Sequence, residues 1–494
     1  MRAITTICAF LFSILFAFAQ EGLPDDYLTK EFHKNRRDLL REKMPSNSVA
    51  VFFANPVRNR ANDVEYVYHQ DPNFYYLTGY KEPHAVLVIF SDQQTNAEGK
   101  SYNELLYVQE RNARAEQWTG RRLGIEGAQS QLGFDMVFNG SSFLESGIDF
   151  TAFDKVLYFD FFDDYRNTRN KADLYDLIQS FKVQIKLINN YTIENKTDDI
   201  ETDATANVEA ETVKTDTRTL RTIMAQMREI KTADELVLLK KAVRISAMGQ
   251  REIMKAMHPG MSETEVQGVH EYIYKKYGSE YEGYPSIVGA GHNGCVLHYI
   301  ENNKTKLEED LVLMDLGAEY HGYTADVTRT IPANGKFSKE QKAIYDIVYN
   351  AQEAGINATV IGNTLQSPDT AARAVIYQGL IDLGIAKNRS EARQYFPHGT
   401  SHHIGLDVHD PGMYESLEEN MVITVEPGIY IPEGSDCDPK WYGIAVRIED
   451  DILVTKNGPV NLSAEAPRKS DEIEKLMKET SVLGDFKLPN LDED

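Results

Sequence analysis

His398, His402, His403 and His409 stand within one short stretch, FPHGTSHHIGLDVHD (residues 396–410). The chain has 12 histidines in 494 residues, so even scatter would put about 0.3 of them in the twelve residues 398–409. Neutral imidazole ligates divalent metals and carries protons near neutral pH. A single histidine is ordinarily a hydrogen-bonded core residue. Four together raise the question of whether the chain also supplies the carboxylates that a metal site needs.

Residues 311–330, LVLMDLGAEYHGYTADVTRT, place two apolar runs on either side of a Tyr-His-Gly turn, a hairpin pattern. With the turn centred between Tyr320 and His321, Asp315 and Asp326 fall directly opposite each other. Like charges so placed are destabilising, and Asp is a poor strand residue. The pair therefore asks for a compensating cation, unless one Asp faces solvent or the register differs. Glu426 ends the run VITVE before Pro427-Gly428, and Glu449 closes AVRIE. An acid buried there without a partner has a raised pKa; a solvated strand end is the alternative for either alone. Four oxygen donors and one imidazole of the cluster favour a hard ion such as Mn²⁺, Mg²⁺ or Co²⁺. Four carboxylates over-charge one ion, whereas two divalent ions bridged by carboxylates and a water or hydroxide balance them.

The elements that must position these groups fall into two domains, as the length leads one to expect. Residues 23–188 alternate strand and helix patterns and read as an α/β domain, with buried strands at 48–53, 85–90, 105–108 and 156–161 and a helix over 173–183. Residues 189–219, rich in Thr, Asp, Glu and Asn, cannot bury enough surface to offset their ordering entropy and read as an acidic linker or surface excursion. Beyond them Thr232-x-x-Glu235, Ser262-x-x-Glu265 and Ser338-x-x-Gln341 are capping boxes, and Ser367-Pro368 is an N-cap followed by Pro at the first helical position. Strands at 311–317, 323–331, 421–426 and 445–454 lie between these helices, so residues 220–465 read as an α+β domain with mostly antiparallel strands. Residues 466–494 read as a surface tail.

The chain begins with a targeting pattern: Arg2, a mostly apolar run over 4–18, and Ala17-Phe18-Ala19 as a small-x-small cleavage site. Residues 1–19 are thus expected to be a signal peptide, with an uncleaved anchor as the alternative. Export follows, to a periplasm or to the outside. No later apolar run is long enough to span a bilayer, so no membrane association is expected after cleavage. Cys295 and Cys437 form neither a disulfide framework nor a CxxC zinc site. The net charge of −24 argues against nucleic acid or an anionic membrane surface as partner.

The order Asp315, Asp326, His402 in HGTSHHIGLDVHD, Glu426 in VEPGIY and Glu449 in RIEDD resembles the pita-bread metallopeptidases, most of all the aminopeptidase P, or Xaa-Pro aminopeptidase, group. Residues 69–85 (HQDPNFYYLTGYKEPHA) and 115–124 (AEQWTGRRLG) are similar to that group's N-terminal domain, of the creatinase/prolidase N-terminal kind, which methionine aminopeptidases lack. The resemblance implies a pita-bread catalytic domain in which these five residues hold two metal ions, usually Mn²⁺. It implies that His298, His398 and His409 line the substrate site, His409 at the developing oxyanion, and that Tyr430 and Arg447 hydrogen-bond around Asp315. It selects His402 over His403, since adjacent strand residues face opposite ways. The implied reaction is attack by a metal-bridged hydroxide on the carbonyl before a proline at the second position of a peptide, with Glu426 moving the proton. Homo-oligomers are implied as well. The alternatives are a prolidase acting on Xaa-Pro dipeptides, and a non-catalytic pita-bread binding module.

Overall fold

The computed structural model describes residues 24–168, 170–189, 191 and 213–483. The expected signal peptide, most of the acidic excursion and the end of the tail lie outside the described residues.

The N-terminal domain is built on a six-stranded sheet in the order Val137–Asn139, Ser101–Val108, Val86–Thr95, Ser48–Phe53, Lys155–Leu157, Thr215–Asp216. Ser48–Phe53 and the apolar first half of Val86–Thr95 are central strands, and both of their faces are buried. One face packs against Lys30–Lys43 and Pro72–Thr78 through Leu40, Phe74 and Leu77, the other against the short helix Gly140–Glu145 through Phe143 and against Leu174–Gln184 through Phe181. Two boundaries differ from expectation. The strand expected at 156–161 ends at Leu157, where Thr215–Asp216 on one side ends and the pairing with Ser48–Phe53 on the other stops at Ala50. Thr215–Asp216 extends this sheet although it was expected to lie in the linker.

In the second domain every strand pairing is antiparallel among the described residues. Ile287–Ala290, Leu311–Asp315 and Thr328–Pro332 form one sheet, and Val422–Val425, Asp450–Thr455 and Gly458–Asn461 another. Smaller pairings, Gly428–Ile431 with Ile444–Arg447 and Ala318–Tyr320 with Tyr323–Thr324, connect them. The helix pairs Ala233–Ala256 with Glu263–Lys276, and Lys339–Ala358 with Gln366–Asp382, cover the outside. In the first of these helices Leu236, Leu239 and Val243 are all buried, as an apolar stripe at three- and four-residue spacing requires. Both halves of the capping box close at Thr232 and Ser338. At Ser262 only the serine side closes. The last large helix is capped at Leu365, two residues before the expected cap, and the Ser367 hydroxyl instead accepts from the Thr364 N–H at 3.2 Å. Pro368 still falls in the first turn, where its missing N–H costs no helical bond.

The part of the tail nearest the domain is not surface. Ala466 and Ile473 are buried, and the fully buried Arg329 donates to the carbonyls of Ala466 and Pro467. Those donors need acceptors in a dry interior, which draws residues 466–476 into the core.

The hairpin between the acids also differs from expectation. Tyr320 pairs with Tyr323, so the turn is His321-Gly322, with φ of 51° and 89°. Positive φ at both central positions makes a turn whose twist matches the flanking strands. The same register continues to Asp315 opposite Thr328. Asp326 therefore falls opposite Gly317, diagonal to Asp315 rather than facing it. The expected strand at 323–331 is interrupted at Ala325–Val327, where the chain bends inward. Gly317 permits the bend, since a Cβ there would lie 1.8 Å from the Ala325 carbonyl oxygen and 2.8 Å from the Tyr284 ring. Gly317→Ala should lower the thermal midpoint by roughly 5–10 °C, read by calorimetry, because a buried backbone clash cannot relax locally; an unchanged midpoint would show that the bend tolerates a side chain.

Candidate metal centre

Each candidate carboxylate stands where a strand ends or breaks. Asp315 is the last residue of Leu311–Asp315, and Asp326 lies in the interruption just described. Glu426 falls between Val422–Val425 and Gly428–Ile431, and Glu449 between Ile444–Arg447 and Asp450–Thr455. His402 belongs to an irregular strand, residues 400–404, laid against 422–426. The Thr424 N–H donates to the His402 carbonyl at 3.0 Å, and the Glu426 N–H to the Thr400 carbonyl at 2.9 Å. Alternation along that strand sends His402 inward. His403 packs outward against Tyr414 and against Gly412, where a Cβ would come within 2.2 Å of its ring.

The structure brings Asp326, His402 and Glu449 together with one donor atom from each within 4.8 Å of the others. His402 Nε2 is also 3.5 Å from Glu426 Oε1 and 3.6 Å from Asp326 Oδ2. His402 Nδ1 donates to the His403 carbonyl at 3.0 Å, so once Nε2 gives up its proton a lone pair there faces the carboxylates. That is the tautomer a metal-ligating histidine needs. Asp315 joins from the side, with the Tyr284 hydroxyl 2.6 Å from its Oδ1 and 2.6 Å from Asp326 Oδ1. One hydroxyl donates to one of these oxygens at a time, so the other is left short of positive charge.

Charge is strained throughout the group. Burial, then the charges of Asp326, Glu426 and Asp315, holds the Glu449 carboxyl well above the usual range. Burial, only partly offset by His402, pushes Glu426 up to about 7. Asp326 is raised by burial and by Asp315. Asp315 goes the other way: burial opposes its charge, but Arg447 and Tyr284 hold it down. His402 rises to about 9, because the hydrogen bond to Asp326 and the charge of Glu426 outweigh its burial. A buried set of acids that resist ionisation around an inward-facing imidazole nitrogen fits divalent cations well.

A second layer fixes the first. Arg447 donates to Asp315 Oδ2 at 2.5 Å and to the Tyr430 hydroxyl at 2.8 Å. Arg447 has no acceptor, so the Tyr430 proton is free to be donated onward to His398 Nε2, also at 2.8 Å. His398 Nδ1 then donates to the Gly399 carbonyl at 2.7 Å and lies 3.5 Å from Glu426 Oε2. Burial and the nearby Arg447 push the His398 pKa down to about 4, which keeps it neutral. Thr328 donates to Glu449 Oε2 at 2.6 Å, and its hydroxyl accepts from Arg447 Nε at 3.3 Å. His409 stands on the exposed side, its ring perpendicular to that of His402 with centroids 4.4 Å apart. His298 is exposed and close enough for its charge to act on His409.

Tyr284, Thr328 and Asp451 were missed by sequence reasoning. Asp451 accepts from the Asp326 N–H at 3.1 Å and is fully buried. Its signal was available as the third of three consecutive acids, Glu449-Asp450-Asp451. Tyr284 and Thr328 carried none, being ordinary residues in ordinary segments.

Residues 237–456 match the family model "Metallopeptidase family M24", and residues 33–149 match "Aminopeptidase P, N-terminal domain". The Xaa-Pro aminopeptidase of Escherichia coli K12 is 35% identical over 462 residues, covering 91% of this chain and 98% of that protein. The human Xaa-Pro aminopeptidase 3 is 31% identical, covering 88% and 82%. Among solved structures, aminopeptidase P from E. coli with the inhibitor Pro-Leu superposes with a TM-score of 0.78 at 34% identity, covering 91% of this chain and 98% of that one.

The raised carboxyls and the protonated imidazole predict the course of metal binding. In the metal-free protein at pH 7, His402 and part of Glu426 carry protons that a cation must displace, and Glu449 is raised in the same direction. Mn²⁺ titration in buffers of differing ionisation enthalpy should therefore release at least about one proton per chain at pH 7, with affinity rising as pH rises. Binding without proton release would contradict this charge state.

Proposed function

The chain belongs to metallopeptidase family M24, in its aminopeptidase P group, and from that premise we propose an exported Xaa-Pro aminopeptidase that removes the residue preceding a proline at the second position of a peptide. The observation that carries this reading is the convergence of Asp326, His402 and Glu449 on one point, with His402 Nε2 turned toward the acids. Asp315, Asp326, His402, Glu426 and Glu449 would hold two divalent ions, and Mn²⁺ is proposed for them. When bound, such ions supply a water acidic enough to ionise near neutral pH and a Lewis acid for the scissile carbonyl.

The chain's own groups do the rest. Glu426, with one carboxylate oxygen toward His402 and the other toward His398, takes the proton of the attacking water and returns it to the departing proline nitrogen. His409, on the open side of the site, donates a hydrogen bond to the oxygen that becomes negative as the carbonyl carbon turns tetrahedral. His298 flanks the same side. The series Arg447, Tyr430, His398 keeps the wall opposite in one protonation state, and Arg447 holds Asp315 ionised and oriented. Export rests on the pattern of residues 1–19.

With Mn²⁺ present, an Xaa-Pro-Pro tripeptide should be cleaved at least about 100-fold faster, in kcat/KM, than an Xaa-Pro dipeptide; the reverse order would make the protein a prolidase. Glu426→Gln should lower kcat by about 10³-fold. Metal analysis of the same sample separates lost proton transfer from lost ions, and hydrolysis that survives the change would remove Glu426 from its role.

A further inference from the structure

A second group of buried charges lies directly behind His409. Asp410 is 1% exposed and receives two cations, Arg228 Nη2 at 2.5 Å on one oxygen and Lys231 Nζ at 2.8 Å on the other. Lys231 also donates to the Arg228 carbonyl at 2.5 Å, which fixes the two cations to each other. The segment between His403 and Asp410 wraps around this cluster. Its ends are joined by the Asp410 N–H donating to the His403 carbonyl at 3.0 Å. Gly405 passes so close that a Cβ would lie 2.6 Å from the Asp410 carboxylate and 2.8 Å from Lys231 Nζ.

The cluster is anchored in the other domain. Arg228 Nη1 donates to Asn73 Oδ1 at 2.8 Å, and the Tyr76 hydroxyl donates to the Met227 carbonyl at 3.0 Å. Both partners lie on the N-terminal helix Pro72–Thr78. Among the described residues no side chain holds the His409 ring by a hydrogen bond. Its place is set by its backbone, whose N–H donates to Asp407 Oδ1 at 3.1 Å, and by the fixed neighbour Asp410.

We propose that Asp410, with Arg228 and Lys231, is a positioning residue for the hydrolysis: it holds the loop that presents His409, and through Asn73 it makes the N-terminal domain part of the same device. The inference rests on the reading of His409 as a substrate-side group. A carboxylate with two cations and no exposed surface is costly to shift, because any displacement leaves unpaired buried charge. A loop tied to it resists the small displacements that cost an active site its rate. The N-terminal domain, which contributes none of the candidate ligands, then acts on the reaction inside a single chain.

The test uses the Mn²⁺-loaded full chain and an Xaa-Pro-Pro tripeptide. Asp410→Asn should lower kcat by roughly 10- to 100-fold with KM changed less than about threefold and bound Mn²⁺ unchanged. Amide hydrogen exchange over residues 404–409 should speed up, while that of residues 311–315 stays as in the wild type. In a His409→Ala background the same change should cost no more than about twofold, since the two act as a unit. Losses that add in the double variant, a loss that follows Mn²⁺ content, or unchanged exchange in the loop would each overturn the proposal. Should Asp410→Asn fail to fold, Asn73→Ala and Lys231→Met leave Asp410 paired with Arg228 and carry the same test. They should lower kcat by about threefold with the same non-additivity, and full activity in both would overturn it. If the wild type cleaves no Xaa-Pro peptide, the functional reading fails, and the exchange measurement still decides whether the cluster holds the loop.

Discussion

Four carboxylates pressed into one buried place govern this molecule. Two like charges about 4 Å apart oppose each other by about 4 kcal/mol at an effective dielectric near 20. Asp315, Asp326, Glu426 and Glu449 face one permanent cation, Arg447, and one imidazole. Glu449 and Glu426 respond by resisting ionisation, and only Asp315, in contact with Arg447, does not. With His402 neutral, four negative charges against one positive leave a deficit of three, which two divalent cations bring close to balance. Acids so placed cannot be part of a regular ladder, where neighbouring strands would hold them apart and apolar side chains would crowd them. Each of the four acids accordingly sits at a strand end or break, and the fold of the second domain is a set of short antiparallel pieces interrupted at those points.

How much of this was readable beforehand varies with the kind of information. The division into an α/β domain and an α+β domain followed from hydrophobic period and cap residues, because burial and capping act locally. Thr232 and Ser338 close the boxes that their neighbours announce. Register was not readable to the residue. His321-Gly322 and Tyr320-His321 are both plausible turn centres by composition, and choosing between them moves Asp326 from facing Asp315 to facing Gly317. The deciding factor was the positive φ available to Gly322 and accepted by His321, with Gly317 making room for the bend.

At the site, the types of residue were conspicuous because acids at the ends of apolar strands contradict the pattern around them. Tyr284 contradicts nothing in its surroundings, yet its hydroxyl stands between two carboxylates. Its role comes from a crossing of segments more than thirty residues apart in sequence, and Gly283 enables it, since a Cβ there would lie 2.3 Å from Thr324. The core placement of residues 466–476 was hidden for a similar reason. It depends on the donors of Arg329, a residue in a strand far from the tail in sequence, needing acceptors in a dry interior, two of which are the Ala466 and Pro467 carbonyls.

The two domains meet at places that matter for the acids. The hairpin whose base carries Asp315 and Asp326 ends at His321-Gly322, and that tip is gripped from the N-terminal side. The Tyr75 hydroxyl donates to the His321 carbonyl at 3.2 Å, Tyr27 stacks on the His321 ring at 3.6 Å, and Asp26 flanks the ring together with Glu280 of the second domain itself. Along the same hairpin Glu319 is held by His69 at 2.9 Å. A two-residue turn with short strands is marginal alone, and here its outer end is pinned while its inner end carries mutually repelling charges. Repulsion at the base would otherwise be relieved by opening the hairpin, which is the cheapest motion available to it. Gripping the tip removes that escape, so the crowding must be met by protons or cations at the base. On the far side of the site Arg228 and Asn73 tie the same N-terminal helix to Asp410. The N-terminal domain therefore braces both walls of a centre to which it gives none of the candidate ligands, and the strain that favours a cation is maintained by contacts well outside the cation's reach.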